Sequence, residues 1–233
     1  MARRIVTGDI HGCYKTMKKL LEDVVGITKE DKLIFLGDFI DRGPSSREVL
    51  DYLIDLKWRG FNLRSVRGNH EEMMLKAFND ESFMHAWYNN GAEETLKSFQ
   101  VPEELLFDFE GIRQIPDRYV QFINNMPYYI EEDGFLICHA GLNFDTPEPF
   151  EDTQSMIWIR DFNYKPELIS NRKLIHGHTP MPIVSLEYSL RDKNARVINL
   201  DAGCVYKDLP GYGNLLSYDL DSGEYYYLEN IDM

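Results

Sequence analysis

Apolar and polar positions alternate in a repeated order through the first third of the chain. Three short apolar segments, RRIV, KLIFL and FNLRSV, are each followed by a polar loop that contains glycine and then by a segment with apolar residues at helical spacing. Pro44, Ser45 and Ser46 are typical of a helix start after the second loop. Strands that alternate with helices in this way form parallel neighbours joined by right-handed crossovers, so the pattern predicts an α/β fold.

The pattern changes twice further along the chain. Residues from about 80 to 125 combine helical periodicity with glycine and proline, which predicts a helical insertion that either shapes a pocket rim or is plain scaffold. From about residue 127 the runs YYIEEDGFLICHA, KLIHGH, IVSLEYSL and ARVINLDA are predicted as strands, and DLDSGEYYY as a hairpin. A parallel half and a more antiparallel half predict one domain, residues 1–233, of two packed mixed sheets flanked by helices.

Composition and charge limit the classes of protein and partner. The 233 residues are 43% hydrophobic and carry a net charge of −14, which disfavours binding to nucleic acid or to an anionic membrane. No apolar run approaches the roughly 20 residues of a membrane-spanning helix, and the start MARRIVTGD becomes polar too early for a signal peptide. We therefore expect a cytoplasmic protein. Cys13, Cys138 and Cys204 are widely spaced and are predicted to be reduced thiols.

Polar side chains follow the predicted strands. The loops after parallel strands meet at one edge of a sheet, where ligands bind. These loops carry carboxylate, imidazole, amide and guanidinium groups: Asp9 and His11; Asp38, Asp41 and Arg42; Arg67, Asn69 and His70; and, after later strands, His139 and His178. Each group alone is a weak signal, but their joint placement indicates one site.

The donor types at these positions suit divalent metal ions. Carboxylate and amide oxygens with imidazole nitrogens, and no thiolate, fit manganese, iron or zinc better than calcium or magnesium alone. The set is too large for one tetrahedral ion and suits two ions that share a carboxylate, for which Asp38 on the middle strand is the natural candidate. Bound cations would also allow so acidic a protein to bind a phosphate.

The motifs GDIHG, GDFIDRG, RGNHE, HAG and GHTP occur in this order and resemble the signature set of the phosphoprotein phosphatases, which belong to the calcineurin-like metallophosphoesterases. VRGNHEEMM and MIWIR are most similar to the compact bacterial and phage protein phosphatases. The resemblance covers roughly residues 3 to 205. It implies metal-dependent hydrolysis of phosphomonoesters, those of serine and threonine in proteins first and phosphotyrosine as a further substrate.

The resemblance also implies how the ligands divide between two ions. Asp9 and His11 would hold the first ion and Asp38 would bridge, while Asn69, His139 and His178 would complete the second site. Manganese, iron and zinc occupy such sites in the family. We expect two manganese ions.

Catalytic roles follow from the same resemblance. Direct hydrolysis by a hydroxide between the two ions needs no phosphoenzyme, and His70 would protonate the departing oxygen with Asp41 as its orienting partner. Arg42 and Arg160 would grip the non-bridging phosphate oxygens. For Arg67 two roles are open: it orients phosphate or ties down a carboxylate.

Three other functions are alternatives to a protein phosphatase. Symmetrical hydrolysis of a dinucleoside polyphosphate such as diadenosine tetraphosphate uses the same kind of site. Nucleases and phosphodiesterases fit less well, because Pro180 stands where their second histidine would fall. A non-catalytic interaction scaffold would be expected to lack a ligand or the acid, and this chain lacks none of them.

His176 and five aromatic residues are predicted to be structural. His176 and His178 can face the same side of an extended segment, yet His176 matches no ligand position and is interpreted as a strand residue beside the site. Trp87 and Trp158 are predicted to pack in the core or at a pocket rim. The tyrosines of the YYY run are predicted to lie in a strand.

Overall fold

The first sheet is built from the strand-loop-helix units that the sequence predicts. The computed structural model describes residues 2–233. Its first sheet contains three parallel neighbours: β1 (Arg4–Thr7), β2 (Lys32–Phe35) and β3 (Asn62–Ser65). The helices after them are α1 (Tyr14–Lys19), which continues as a π-helical segment over Leu20–Val25, α2 (Ser46–Trp58) and α3 (Asn69–Asn79). The predicted α/β alternation is confirmed.

Helices occupy the region of the predicted insertion. They are α4 (Met84–Tyr88), α5 (Ala92–Ser98), α6 (Phe109–Ile112) and α7 (Asp117–Asn124). Trp87, Leu96 and Tyr119 from these helices are buried in the same apolar cluster as Met17 and Phe35. The insertion therefore forms part of the helical layer that covers the outer face of the first sheet.

The second sheet has the strand order β4-β5-β6-β7. Its strands are β4 (Tyr129–Glu132), β5 (Phe135–Cys138), β6 (Lys173–His176) and β7 (Val197–Asn199). Only the β4–β5 pair is antiparallel within this sheet, because β5, β6 and β7 run parallel. The helix α8 (Thr153–Trp158) lies in the long connection between β5 and β6.

The last two strands return to the first sheet. The strand β8 (Asn214–Asp219) pairs antiparallel with β1, and β9 (Tyr225–Glu229) pairs antiparallel with β8. The hairpin predicted from DLDSGEYYY is thus present, and the YYY run is in a strand. The prediction of two mixed sheets flanked by helices is confirmed. The prediction of a more antiparallel second half is corrected, because the antiparallel strands of that half are divided between the two sheets.

The segment IVSLEYSL is a helix, so its prediction as a strand was wrong. The helix α9 spans Ile183–Arg191 and follows Pro182. Leu186 and Leu190, four residues apart, are buried in the apolar cluster that also contains Val6 and Ile175, while Tyr188 between them is 83% exposed. Two leucines four residues apart lie on one face of a helix. In the sequence alone, however, Leu186, Tyr188 and Leu190 also have the two-residue spacing of a strand face.

An apolar layer between the two sheets holds them face to face. Val6, Ile34 and Leu216 from the first sheet meet Ile137 and Ile175 from the second. The side chains that alternate with these point outward, toward the helices on one side and the 140–170 connection on the other. Packing of this kind places the carboxyl ends of β1, β2, β3, β5 and β6 at one rim of the sandwich.

Two further predictions concern membranes and thiols. Within residues 2–233, none of the helices is long and apolar enough to cross a membrane, and a cytoplasmic location stays a prediction. The three cysteines are free and buried, as predicted. Burial raises the pKa of the Cys138 thiol, which makes a reactive thiolate unfavourable there.

Candidate metal and catalytic site

The predicted site residues converge at the rim where the parallel strands end. The loop after β1 supplies Asp9 and His11, and the loops after β5 and β6 supply His139 and His178. All four of these side chains are buried, as are Asp38 and Asp41 from the loop after β2 and Asn69 and His70 from the start of α3. Both sheets therefore contribute to one polar centre inside the protein.

Asp38 lies at the middle of this centre. Its Oδ2 atom is 3.5 Å from Nε2 of His11, 3.4 Å from Nε2 of His139 and 4.0 Å from Nε2 of His70. Two groups of potential ligand atoms share this carboxylate: His11, Asp38 and His70 form one, and Asp38, His139 and His178 form the other. A carboxylate common to two groups is the arrangement expected of a bridging ligand.

Backbone carbonyls orient two of the imidazoles. Nδ1 of His11 is 2.9 Å from the carbonyl oxygen of Ile40, and Nδ1 of His139 is 2.7 Å from that of Leu36. A ring that donates Nδ1–H to a carbonyl directs its Nε2 toward the centre, where Nε2 of His11 lies 2.9 Å from Nη1 of Arg42 and Nε2 of His139 lies 2.9 Å from Oδ1 of Asn69. Since both Nε2 atoms face Asp38, these bonds prepare the rings as ligands.

Some buried polar atoms have no partner within the protein. Oδ1 of Asp9 and Nε2 of His178 form no hydrogen bond to any described residue, although Oδ2 of Asp9 accepts the backbone N–H of His178 at 3.0 Å. Buried polar atoms are rarely left unsatisfied, because the desolvation cost is not recovered. Bound divalent cations would satisfy both atoms, so the residues present fit a metal centre.

Two glycines allow these groups to approach each other closely. A Cβ atom built on Gly177 would lie 2.2 Å from Oδ1 of Asp9, and one built on Gly68 would lie 2.2 Å from Oδ1 of Asp38. Any larger residue would displace a carboxylate. The glycines of GHTP and RGNH are thus required by packing around the polar centre rather than by a turn.

Burial sets the protonation of the centre. It raises the pKa of Asp9 well above its usual value, with the nearby Asp201 acting in the same direction. It lowers the pKa of His178 to about 3, so this ring is neutral. Burial also acts to raise the pKa of Asp38, but the imidazoles of His139 and His70 outweigh it and hold that pKa well below its usual value. Burial acts to lower the pKa of His139, but the carboxylates of Asp38 and Asp9 outweigh it and raise that pKa to about 10. Since metal ligands must be deprotonated, metal binding would displace protons from His139 and Asp9.

His70 and Asp41 form a buried pair next to the candidate ligands. Nδ1 of His70 lies 2.7 Å from Oδ2 of Asp41, and both side chains are almost fully excluded from solvent. The backbone N–H of His70 donates to Oδ1 of Asp38 at 3.1 Å. His70 is therefore held through both its backbone N–H and its imidazole ring, which suits a group that transfers a proton in a defined direction.

Arg42 and Arg160 both line the cleft above the centre. This cleft is bounded by Asp38, Arg42, Asn69, His70, Asn90, Trp158, Arg160, His178, Pro180 and Tyr206. Arg42 extends over the ring of Tyr206, with its Nη1 2.9 Å from Nε2 of His11. Arg160 forms no salt bridge within residues 2–233. Two guanidinium groups at the mouth of a polar cleft can bind an anion such as phosphate.

Arg67 does not join the cleft. Its Nη1 donates to Oε2 of Glu72 at 2.9 Å, and its Nη2 donates to the carbonyl oxygen of Asn124 at 2.8 Å. These contacts fit the alternative in which Arg67 ties down a carboxylate. They connect the loop after β3 to the end of α7, at the insertion.

Several residues at the centre were missed from the sequence. Asp201 follows β7 just as the other acidic residues follow their strands, and burial raises its pKa to about 6. Glu71 accepts the backbone N–H groups of Asp38, Phe39 and Gly68 and so ties together the loops after β2 and β3. The position of Asp201 after an apolar run was a usable signal, whereas the role of Glu71 depends on contacts across the sheet.

His176 and His178 lie in different surroundings, although only one residue separates them. The ring of His176 packs against Phe162 at a centroid distance of 5.6 Å and does not belong to either group of potential ligand atoms. His178 instead contacts the ring of His139, at 5.0 Å. The positive φ of 68° at His178 turns the chain at this position.

We expect the two histidines to respond differently to substitution. His178→Ala should reduce the bound metal from two ions per chain to about one, because one complete ligand is lost. His176→Phe, the matched control, should retain both ions. The measurement is the metal content per chain after dialysis, by elemental mass spectrometry. Equal loss of metal in the two variants would contradict the assignment of His178 as a ligand.

Comparisons with known proteins place this geometry in context. The profile of the family described as Calcineurin-like phosphoesterase matches residues 2–206. Serine/threonine-protein phosphatase 1 of Salmonella typhimurium is 40% identical over 209 residues, which cover 86% of each chain. The asymmetrical bis(5'-nucleosyl)-tetraphosphatase PrpE of Bacillus subtilis is 26% identical over 233 residues, again 86% of each chain.

A solved structure shares the fold. The protein serine/threonine phosphatase from Saccharomyces cerevisiae superposes with a TM-score of 0.63 over 97% of this chain and 79% of its own, at 16% sequence identity. At that identity the likeness concerns the arrangement of sheets and helices.

Proposed function

This chain belongs to the calcineurin-like phosphoesterase family, within its phosphoprotein phosphatase group, and we propose that it removes phosphate from serine and threonine residues of proteins. The observation that carries the proposal is the cleft in which Arg42, Arg160 and the His70–Asp41 pair surround the shared carboxylate Asp38. These groups suffice to bind a phosphate and to protonate a leaving oxygen. We propose a phosphorylated protein rather than a dinucleotide as the substrate, because sequence identity to the protein phosphatase of Salmonella typhimurium is higher than to PrpE over the same share of this chain.

Divalent metal ions would supply positive charge for this chemistry. We propose Asp9, His11, Asp38, Asn69, His139 and His178 as its ligands. Two divalent cations bound there, which we propose to be manganese, would offset the charge of the phosphate and lower the pKa of water. Asp38 would contact both cations.

The remaining roles belong to side chains in the cleft. Arg42 and Arg160 hold the non-bridging oxygens of the phosphate and orient phosphorus for in-line attack. His70 donates a proton to the departing oxygen of the serine or threonine. Asp41 accepts Nδ1–H of His70, which directs Nε2 of the same ring to the leaving group.

A second candidate function is hydrolysis of dinucleoside tetraphosphates. It is favoured by the similarity to PrpE, which covers as much of this chain as the similarity to the protein phosphatase does. The same cleft groups would act on a phosphoanhydride, but that leaving group is already a good one and needs less help from His70.

A kinetic comparison distinguishes the two functions. With manganese, we expect kcat/KM for a phosphoserine peptide to exceed that for diadenosine tetraphosphate by at least about tenfold, equivalent to about 1.4 kcal/mol of transition-state binding. A phosphotyrosine peptide, assayed alongside, measures the breadth of specificity. Preparations of His178→Ala serve as the control for contaminating phosphatases. A preference of two orders of magnitude for the dinucleotide would overturn the proposal.

A further inference from the structure

Three groups of the helical insertion converge on the loop that carries Asp41 and Arg42. The indole Nε1–H of Trp87 donates to Oδ2 of Asp41 at 2.8 Å. The backbone N–H of Arg42 donates to the carbonyl oxygen of Gly91 at 3.2 Å. The hydroxyl of Thr95 donates to Oδ1 of Asp41 at 2.6 Å. The three contacts are spaced by four residues, so successive turns of α4 and α5 and the loop between them meet one short segment.

These hydrogen bonds give both oxygens of the Asp41 carboxylate a donor. Its Oδ2 receives Nδ1 of His70 and the Trp87 indole, and its Oδ1 receives the Thr95 hydroxyl. The Asp41 backbone N–H lies within hydrogen-bond distance of both Thr95 and Ser46. Asp41, Ser46, Trp87 and Thr95 are all fully buried. In a water-free environment, donors directed at a carboxylate fix its orientation strongly.

The loop itself has an unfavourable backbone conformation. Asp41 and Arg42 have φ angles of 72° and 70°, in the left-handed region that costs non-glycine residues about 1 kcal/mol or more each. Gly91 lies directly against this strained backbone, because a Cβ atom built on it would be 2.8 Å from the backbone nitrogen of Arg42. The insertion thus lies too close to the loop for a side chain at Gly91, and the bond from Arg42 N–H to Gly91 helps to hold the loop in this conformation.

From this geometry we propose that Trp87 and Thr95 are positioning residues for phosphoester hydrolysis. They fix the carboxylate of Asp41, and through it the ring of His70, in the direction needed for proton transfer to the leaving oxygen. Neither residue lines the cleft, so both act through Asp41. This inference rests on the proposed function and extends it, because it assigns a catalytic purpose to a segment that packing alone would also explain.

Packing and positioning make different predictions for substitutions. Trp87→Phe keeps most of the buried ring and removes one donor to Oδ2, while Thr95→Val keeps the volume and removes the donor to Oδ1. Thr95→Ser restores the hydroxyl. Leu96→Val is a packing control from the same helix, fully buried and without a polar group.

The experiment compares phenyl phosphate with p-nitrophenyl phosphate, each with manganese. Phenolate is the poorer leaving group and depends more on a correctly placed proton. We expect Trp87→Phe and Thr95→Val to lower kcat for phenyl phosphate by about tenfold and for p-nitrophenyl phosphate by less than about threefold, with KM unchanged and two ions bound. Thr95→Ser should recover most of the loss.

Three outcomes would decide against the proposal. Equal losses on the two esters, as expected for Leu96→Val, would show that the insertion only packs. Wild-type rates in Thr95→Val would show that Asp41 needs no hydroxyl partner, and failure of Thr95→Ser to recover activity would show that volume rather than hydrogen bonding matters. Failure of the wild-type protein to hydrolyse either ester would instead overturn the proposed function, and this inference with it.

Discussion

Replacement of Asp38 by alanine is the substitution with the largest expected effect on the proposed hydrolysis. We expect kcat for p-nitrophenyl phosphate to fall by about a thousandfold or more, equivalent to about 4 kcal/mol of transition-state stabilisation. Asp38 belongs to both groups of candidate ligand atoms, and three imidazole Nε2 atoms lie within 4.0 Å of its Oδ2. Loss of this carboxylate therefore weakens both sites and leaves the buried imidazoles without a counter-charge.

Metal analysis and kinetics check this prediction together. Asp38→Ala should bind fewer than two ions per chain after dialysis, even when manganese is supplied in excess. Asp31→Asn is the matched control, because Asp31 is also a buried carboxylate beside β2, at the opposite end of the strand, where it binds Arg3. The control should retain two ions and wild-type kcat. Two ions in Asp38→Ala would exclude Asp38 as the bridge.

Replacement of His70 by asparagine should give a loss that depends on the leaving group. For phenyl phosphate and phosphoserine peptides, we expect kcat to fall by about 10² to 10⁴, the usual contribution of a general acid. For p-nitrophenyl phosphate the loss should be about tenfold or less, since that leaving group barely needs a proton. The buried contact between Nδ1 of His70 and Asp41 is the structural reason for assigning the acid to this ring.

The metal content of His70→Asn separates two roles. His70 also lies near His11 and Asp38 in one group of candidate ligand atoms, so a ligand role predicts loss of an ion. An acid role predicts that two ions remain. His85→Asn, an exposed histidine of the insertion, is the control and should leave both kcat and metal content unchanged. Equal losses on the two classes of ester would contradict the acid assignment.

Much of the fold was predictable because its signals are local. Each strand of the parallel units is a short apolar run followed by glycine and polar residues, and each helix after it is long enough for its periodicity to be recognised. Ile183–Arg191 was misassigned because a short amphipathic helix and a short strand share the same pattern of apolar residues. The division of the antiparallel strands between two sheets was not predictable, because β8 pairs with β1 across almost the entire chain.

The site was predictable to the extent that it lies directly after strands. The place after a strand and the sequence motifs predicted seven candidate residues that the structure brings together: Asp9, His11, Asp38, Asn69, His70, His139 and His178. The direction of a long side chain was not predictable. Arg67 follows β3 like its neighbours, yet its guanidinium turns to Glu72 in α3 and to Asn124, a residue 57 positions away in sequence at the end of α7.

The sequence by itself determined which candidate residues follow the strands and at which edge of the sheets they would meet, because residue spacing and the alternation of strands with helices are properties of the chain. Only the tertiary structure decided how those residues are held. The bonds from Trp87 and Thr95 to Asp41, the position of Glu71 under Asp38 and the separation of His176 from His178 all depend on segments distant in sequence or on a single backbone turn. Such contacts arise from packing between elements, and no local pattern of apolar and polar residues encodes them.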